Sequence, residues 1–154
     1  MYTFKLQAVL DHRQFIEERL EKELADIRGR VMAEQQQLQS LQRKEMKSAQ
    51  ALKQEQAEGG LSSDGVLAYQ AYLKRLSEQM VRHQSRLREI QACEADAQRE
   101  LIEAMKRRQI LEKLKQQGLD RYNQAIQKTE RNWIDEIAVN RYARQTIQKS
   151  GEGQ

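Results

Sequence analysis

The chain has 154 residues, a formal charge of +4, 32% charged and 5% aromatic residues, and no proline. A composition this polar, rich in Gln, Glu, Lys, Arg, Ala and Leu, excludes a thick hydrophobic core and leaves a coiled coil or a disordered chain. A single cysteine, Cys93, excludes an internal disulfide framework, and the lack of any long apolar run excludes a transmembrane helix.

The start of the chain, Met1 to Leu6, does not read as a secretory signal, so a cytoplasmic location is expected. The first predicted element is a helix over about residues 3–57. Apolar residues recur there at alternating spacings of three and four, which keeps them on one side of a helix. One set is Leu10, Leu24, Val31, Leu38 and Leu52; the other is Leu6, Leu20, Ile27 and Leu41. Arg13, Glu17, Glu34, Glu45 and Ser48 interrupt the stripe, and Val9 and Ile16 widen it near the N-terminus. This regular spacing favours the coiled coil over disorder.

A turn is predicted over residues 58–65, Glu58-Gly59-Gly60-Leu61-Ser62-Ser63-Asp64-Gly65. Glycine weakens a helix, and Ser and Asp side chains accept hydrogen bonds from the free N–H groups that open the next one.

The second helix is predicted over about 66–148, with 149–154 as a disordered tail. Its seam holds Val66, Leu73, Met80, Leu87 and Leu101 on one set, and Tyr69, Leu76, Ile90, Ala97, Ala104 and Leu111 on the other. His83, Glu94 and Arg108 interrupt it. Past Lys115 the apolar residues are Leu119, Tyr122, Ile126, Trp133, Ile134 and Ile137, a stripe whose register drifts from the earlier seam.

Folding at the turn gives an all-α fold: two long helices in an antiparallel coiled-coil hairpin, in a single domain. The second helix is the longer, and overhangs at the termini end by about 30 residues from Leu119 onward, at about 1.5 Å of rise per residue. Gly118 marks where pairing should run out. Trp133, Ile134 and Ile137 then have no seam partner within the chain. A free apolar stripe on a polar helix marks a binding surface, for another protein or for a second copy.

No catalytic constellation is present. His12 and His83 are far apart, Cys93 has no nearby histidine, and Gly59-Gly60 lacks the following Lys-Ser or Lys-Thr of a phosphate cradle. The reading is a non-enzyme with no cofactor and no metal site. The basic run Lys106, Arg107, Arg108, Lys113 and Lys115 suits a solvated face or an acidic partner; without interleaved aromatics it is a poor nucleic-acid surface.

Several motifs carry a resemblance. They are the opening Phe4-Lys5-Leu6-Gln7-Ala8-Val9-Leu10-Asp11-His12-Arg13 with Glu17 and Glu18, and, after the turn, Tyr69-Gln70-Ala71-Tyr72-Leu73-Lys74-Arg75-Leu76. They continue with Lys113-Leu114-Lys115, Tyr122, Glu130, and Asp135-Glu136-Ile137-Ala138 with Arg141 and Arg144. In order and spacing this set resembles the flagellar export protein FliJ family over nearly the whole chain. Trp133 departs from the pattern, standing where many relatives carry a polar residue. Stalks of virulence-type secretion systems have a similar shape, but the opening and the Asp135-Glu136 ending favour the flagellar branch.

The resemblance implies a soluble component of the flagellar type III export apparatus, peripherally associated with the basal body at the inner membrane. It implies a hairpin similar to the γ subunit of rotary ATPases, monomeric when free. The implied partners are the hexameric export ATPase, the cytoplasmic domain of the membrane export gate, and export chaperones. On this basis the expected ATPase-binding residues are Leu6, Val9, Leu10, Arg13 and Ile16, with Arg131, Trp133, Ile134, Ile137 and Arg141. The expected gate-binding residues are Leu38, Gln42, Glu45, Tyr72, Leu76, Gln79 and His83. The alternative is a self-associating coiled-coil scaffold or adaptor, either a virulence-type secretion stalk or a weak nucleic-acid binder.

Overall fold

The computed structural model describes the backbone of residues 1–151 and side chains through Arg144. Two α-helices account for almost all of it: α1 over Gln7–Ala57 and α2 over Ser63–Gly151. There is no strand among the described residues. The two helices pack against each other as a helical hairpin, as the two seams require. Of the tail expected from residue 149, residues 152–154 lie outside the described residues.

Helix α1 starts three to four residues later than the periodicity alone suggests. The Phe4 carbonyl accepts from the Gln7 N–H at 3.1 Å, a tight turn, and the first helical bond runs from the Leu10 N–H to the Leu6 carbonyl at 3.0 Å. Helix α1 ends in a Schellman motif. The Gly60 N–H donates to the Glu55 carbonyl and the Gly59 N–H to the Gln56 carbonyl, both at 3.3 Å, while Gly59 sits at φ +68°. Helix α2 opens at Ser63, three residues earlier than expected, because Ser62 is its N-cap. The Ser62 hydroxyl accepts from the Gly65 N–H at 3.2 Å and its carbonyl from the Val66 N–H at 3.1 Å. Gly65 therefore belongs to the first turn of α2. Replacing Gly59 with alanine forces a Cβ into the left-handed region and should cost about 1–2 kcal/mol. The check is the shift of the urea unfolding midpoint, which Gly60→Ala, with no positive φ to satisfy, should move less.

The chain forms two compact units, Phe15–Met105, and Met1–Gln14 with Lys106–Gln154. In the first, the two helices return on each other through the turn. Its core is thin: Leu20, Leu24, Val31, Leu41, Leu76 and Ala104 are buried, Leu24 and Leu76 to 4% exposure. Half-buried positions recur every three or four residues along α2 between them, polar ones included. Polar interruptions of the seams find partners across the hairpin. His83 Nδ1 lies 2.6 Å from Glu34 Oε2, and Arg28 Nε donates to Glu94 Oε1 at 3.1 Å. Glu17, also buried, is partnered. Glu17, Glu34, His83 and Glu94 are thus matched, which removes the cost of a lone buried charge at these positions.

Near the turn, the Tyr69 hydroxyl donates to Glu55 Oε1 at 3.1 Å. This bond to a carboxylate holds the phenol above its ordinary pKa of 10.0, assisted by partial burial and by the carboxylate's charge. Its folded value is raised, so its contribution to stability is complete below about pH 10 and is lost as pH rises through the raised value.

In the second unit Leu10 is buried, and the segment ahead of α1 lies along α2. The Met1 amine donates to the Tyr122 hydroxyl at 2.9 Å, and the Tyr2 and Tyr122 rings are 5.8 Å apart at 43°. Helix α2 continues through Gly118 without a break. The half-buried positions also keep the seven-residue spacing through Lys115, Gly118 and Tyr122, where hydrophobicity alone shows drift. The seam persists there because a lysine stem and a glycine are half-covered although neither reads as apolar.

Candidate partner interface

Beyond Tyr122 every described side chain of α2 is exposed, up to Arg144. Ile126, Trp133 and Ile137 are spaced by seven and four residues, so they share one side of the helix. That side continues the one on which Leu119 and Tyr122 are half-buried. Trp133 is 65% exposed, Ile134 on its flank 60% and Ile137 40%. A stripe this narrow suits a helix-to-helix seam rather than the broad face that a membrane surface requires.

Charges edge the stripe. Glu130 and Arg141 lie one turn to either side of Trp133 and Ile137, and Arg144 falls on the same side of α2. The unit that contains it, Met1–Gln14 with Lys106–Gln154, holds thirteen basic against seven acidic residues, while Phe15–Met105 holds fourteen against sixteen. The chain's positive charge therefore sits with the exposed aromatic stripe. Arginines beside apolar anchors suit a partner that presents carboxylates.

The expected ATPase-binding residues differ in exposure and are divided between the two units. Leu10 is buried in its unit's core and Arg13 is half-buried, while Leu6 and Val9 are each 43% exposed. Ile16, in the other unit, is half-buried. Arg131, Trp133, Ile134, Ile137 and Arg141 lie together on the exposed stretch. Trp133 is about 16 Å of helix beyond Tyr122, the residue against which the N-terminal segment ends.

The expected gate-binding residues fall in Phe15–Met105 with mixed exposure. Tyr72, Gln79 and Gln42 are exposed, and Leu38, Glu45 and His83 are half-buried. Leu76 is core, and His83 is engaged with Glu34. Sequence reasoning passed over Tyr2, whose contact with α2 has only the mid-helix Gly118 as a sequence signal. It also passed over Val139 and Tyr142, exposed on the other side of α2 from Trp133. No group of His, Cys, Asp or Glu among the described residues is arranged to hold a metal ion. None of the helices is long and apolar enough to cross a membrane, again among the described residues.

The family model for the flagellar FliJ protein matches residues 2–146. The chain belongs to the flagellar FliJ protein family. As a FliJ-family protein it is a component of flagellar type III export, within a family of non-enzymatic structural and escort proteins. Among solved structures it is similar to a protein of Chlamydia trachomatis described as a YscO homolog, CT670, with 22% identity over 100% of both chains and a TM-score of 0.45. No curated protein sequence matches it.

Proposed function

We propose that this FliJ-family protein is the stalk of the hexameric flagellar export ATPase, promoting assembly and turnover of the ring and coupling it to the membrane export gate. The observation that carries the reading is the exposed stripe Ile126, Trp133 and Ile137, on the side of α2 that elsewhere packs on α1 and here packs on nothing described. A helix face built to be covered, with arginines at its edge, suits insertion among the acidic and apolar walls of a ring's central hole. A helix with its side chains is about 10–12 Å across, a size compatible with such a hole. Leu6, just ahead of α1, and Val9, Leu10, Arg13 and Ile16 of α1 support this docking, with Leu10 acting through packing.

In the same proposal the gate's cytoplasmic domain binds Phe15–Met105, where Tyr72, Gln79 and Gln42 supply the exposed contacts and Leu38, Glu45, Leu76 and His83 set the surface behind them. Export chaperones are further clients of the hairpin, and attachment to the basal body is peripheral, through these partners.

The test mixes the protein with its cognate export ATPase. Faster ATP hydrolysis and a larger hexamer fraction are expected. No stimulation, together with a stable homodimer of the free protein, would replace the stalk with a self-associating scaffold.

A further inference from the structure

A glycine inside an exposed helix costs about 1 kcal/mol relative to alanine, and the two mid-helix glycines differ in what they meet: Gly29 of α1 faces open space, whereas Gly118 does not. Gly118 lies in the middle of α2 with helical neighbours on both sides. A Cβ built there would fall 2.9 Å from Tyr2 Cζ and nearer still to the Tyr2 hydroxyl oxygen. The glycine is therefore the notch that admits the Tyr2 ring. One turn further along α2, Tyr122 stacks against the same ring, with centroids 5.8 Å apart. Met1 to Phe4 belong to no helix, so this segment is joined to α1 only through the turn at Phe4 and Gln7. It is seated by side chains rather than by a backbone ladder. Tyr122 is also the last half-buried residue of α2 before the exposed stretch begins. The seat thus lies where covered helix gives way to bare helix.

We propose that the segment ahead of α1 is a releasable strap, closed over α2 by Tyr2 in the Gly118 notch and against Tyr122. Its release bares Tyr122 and so lengthens the exposed apolar stripe of Ile126, Trp133 and Ile137 by about one turn. Closed, the strap limits the seam offered to a partner; open, it offers the whole of it. The consequence for partner binding rests on the ATPase reading above, whereas the strap itself does not.

The test uses the full chain with Gly118→Ala and, separately, Tyr2→Ala. The first fills the notch while improving helix propensity, and the second removes the ring. In hydrogen exchange of the free protein, amides of residues 3–10 should exchange about three- to tenfold faster in both variants, the range set by one aromatic contact. Amides of residues 114–122 should be no less protected, and in Gly118→Ala more so. Unchanged exchange of residues 3–10 in both variants would overturn the strap. So would loss of protection across residues 114–122 in Gly118→Ala, which would make the glycine a requirement of the helix itself. With the ATPase added, both variants should reach half-maximal stimulation at a two- to fivefold lower concentration. Equal or weaker stimulation by variants whose strap has opened would overturn the lengthened stripe. Absence of stimulation by the unaltered chain would instead sink the ATPase reading, leaving the exchange result to decide the strap alone.

Discussion

Replacing Trp133 and Ile137 together by aspartate is expected to abolish stimulation of the export ATPase while leaving the helix content unchanged. Both side chains lie on the exposed stretch of α2, so the folded chain loses no core contact when they go. Aspartate is a poorer helix former, but two substitutions in an 89-residue helix cost about 1 kcal/mol in propensity. A partner seam loses far more. Apolar anchors at the centre of an interface contribute about 2 kcal/mol or more each, so the double substitution should weaken binding at least a hundredfold. Val139→Asp is the control. Val139 is equally exposed but about 120° round the helix from Trp133, and should keep full stimulation. Circular dichroism and ATP turnover, measured on the same preparations, separate the outcomes. Full stimulation by the double variant would remove the stripe from the interface.

The second large effect concerns stability. Leu76→Ala should destabilise the hairpin by about 2–3 kcal/mol, the low end for a leucine in a core, because a two-helix seam relaxes more readily than a globular interior. At about 2–4 °C per kcal/mol for a chain of this size, the thermal midpoint should fall by about 5–10 °C. Tyr72→Ala, one turn earlier on α2 and exposed, should stay within about 0.5 kcal/mol of the parent. The contrast bears on the gate as well as on the fold. If the gate binds Phe15–Met105, Tyr72→Ala should weaken it without a change in melting, whereas Leu76→Ala should act only through loss of the hairpin. Equal melting of the two variants would mean that Leu76 is not core.

Much of this architecture is legible in the residues. Alternating spacings of three and four place Leu20, Leu24, Val31 and Leu41 on one side of α1, and all four are buried. The glycines and serines between Glu58 and Gly65 mark the turn, because a left-handed residue and a hydroxyl cap are local needs that local chemistry meets. The free stripe around Trp133 is legible too, since it follows from one predicted helix being longer than the other. The candidate site is legible only in part. Leu10 and Leu76 carry the same apolar signature as a docking residue, and periodicity does not say which seam positions end beneath a neighbour.

Two helices, a turn, two seams and a surplus of apolar surface on the second helix are all written in the spacing of neighbouring residues. Pairing of the two helices settled which distant residues meet. It joined Glu34 to His83 and Arg28 to Glu94, turning apparent flaws in the seams into matched pairs. It carried the covered seam through Lys115 and Gly118 to Tyr122, and it gave Gly118 a purpose by setting Tyr2 in its notch. These depend on the register of one helix against the other, a property of the pair that no single helix's periodicity contains. The register sets where cover ends on α2, and therefore how much of the apolar stripe a partner finds bare.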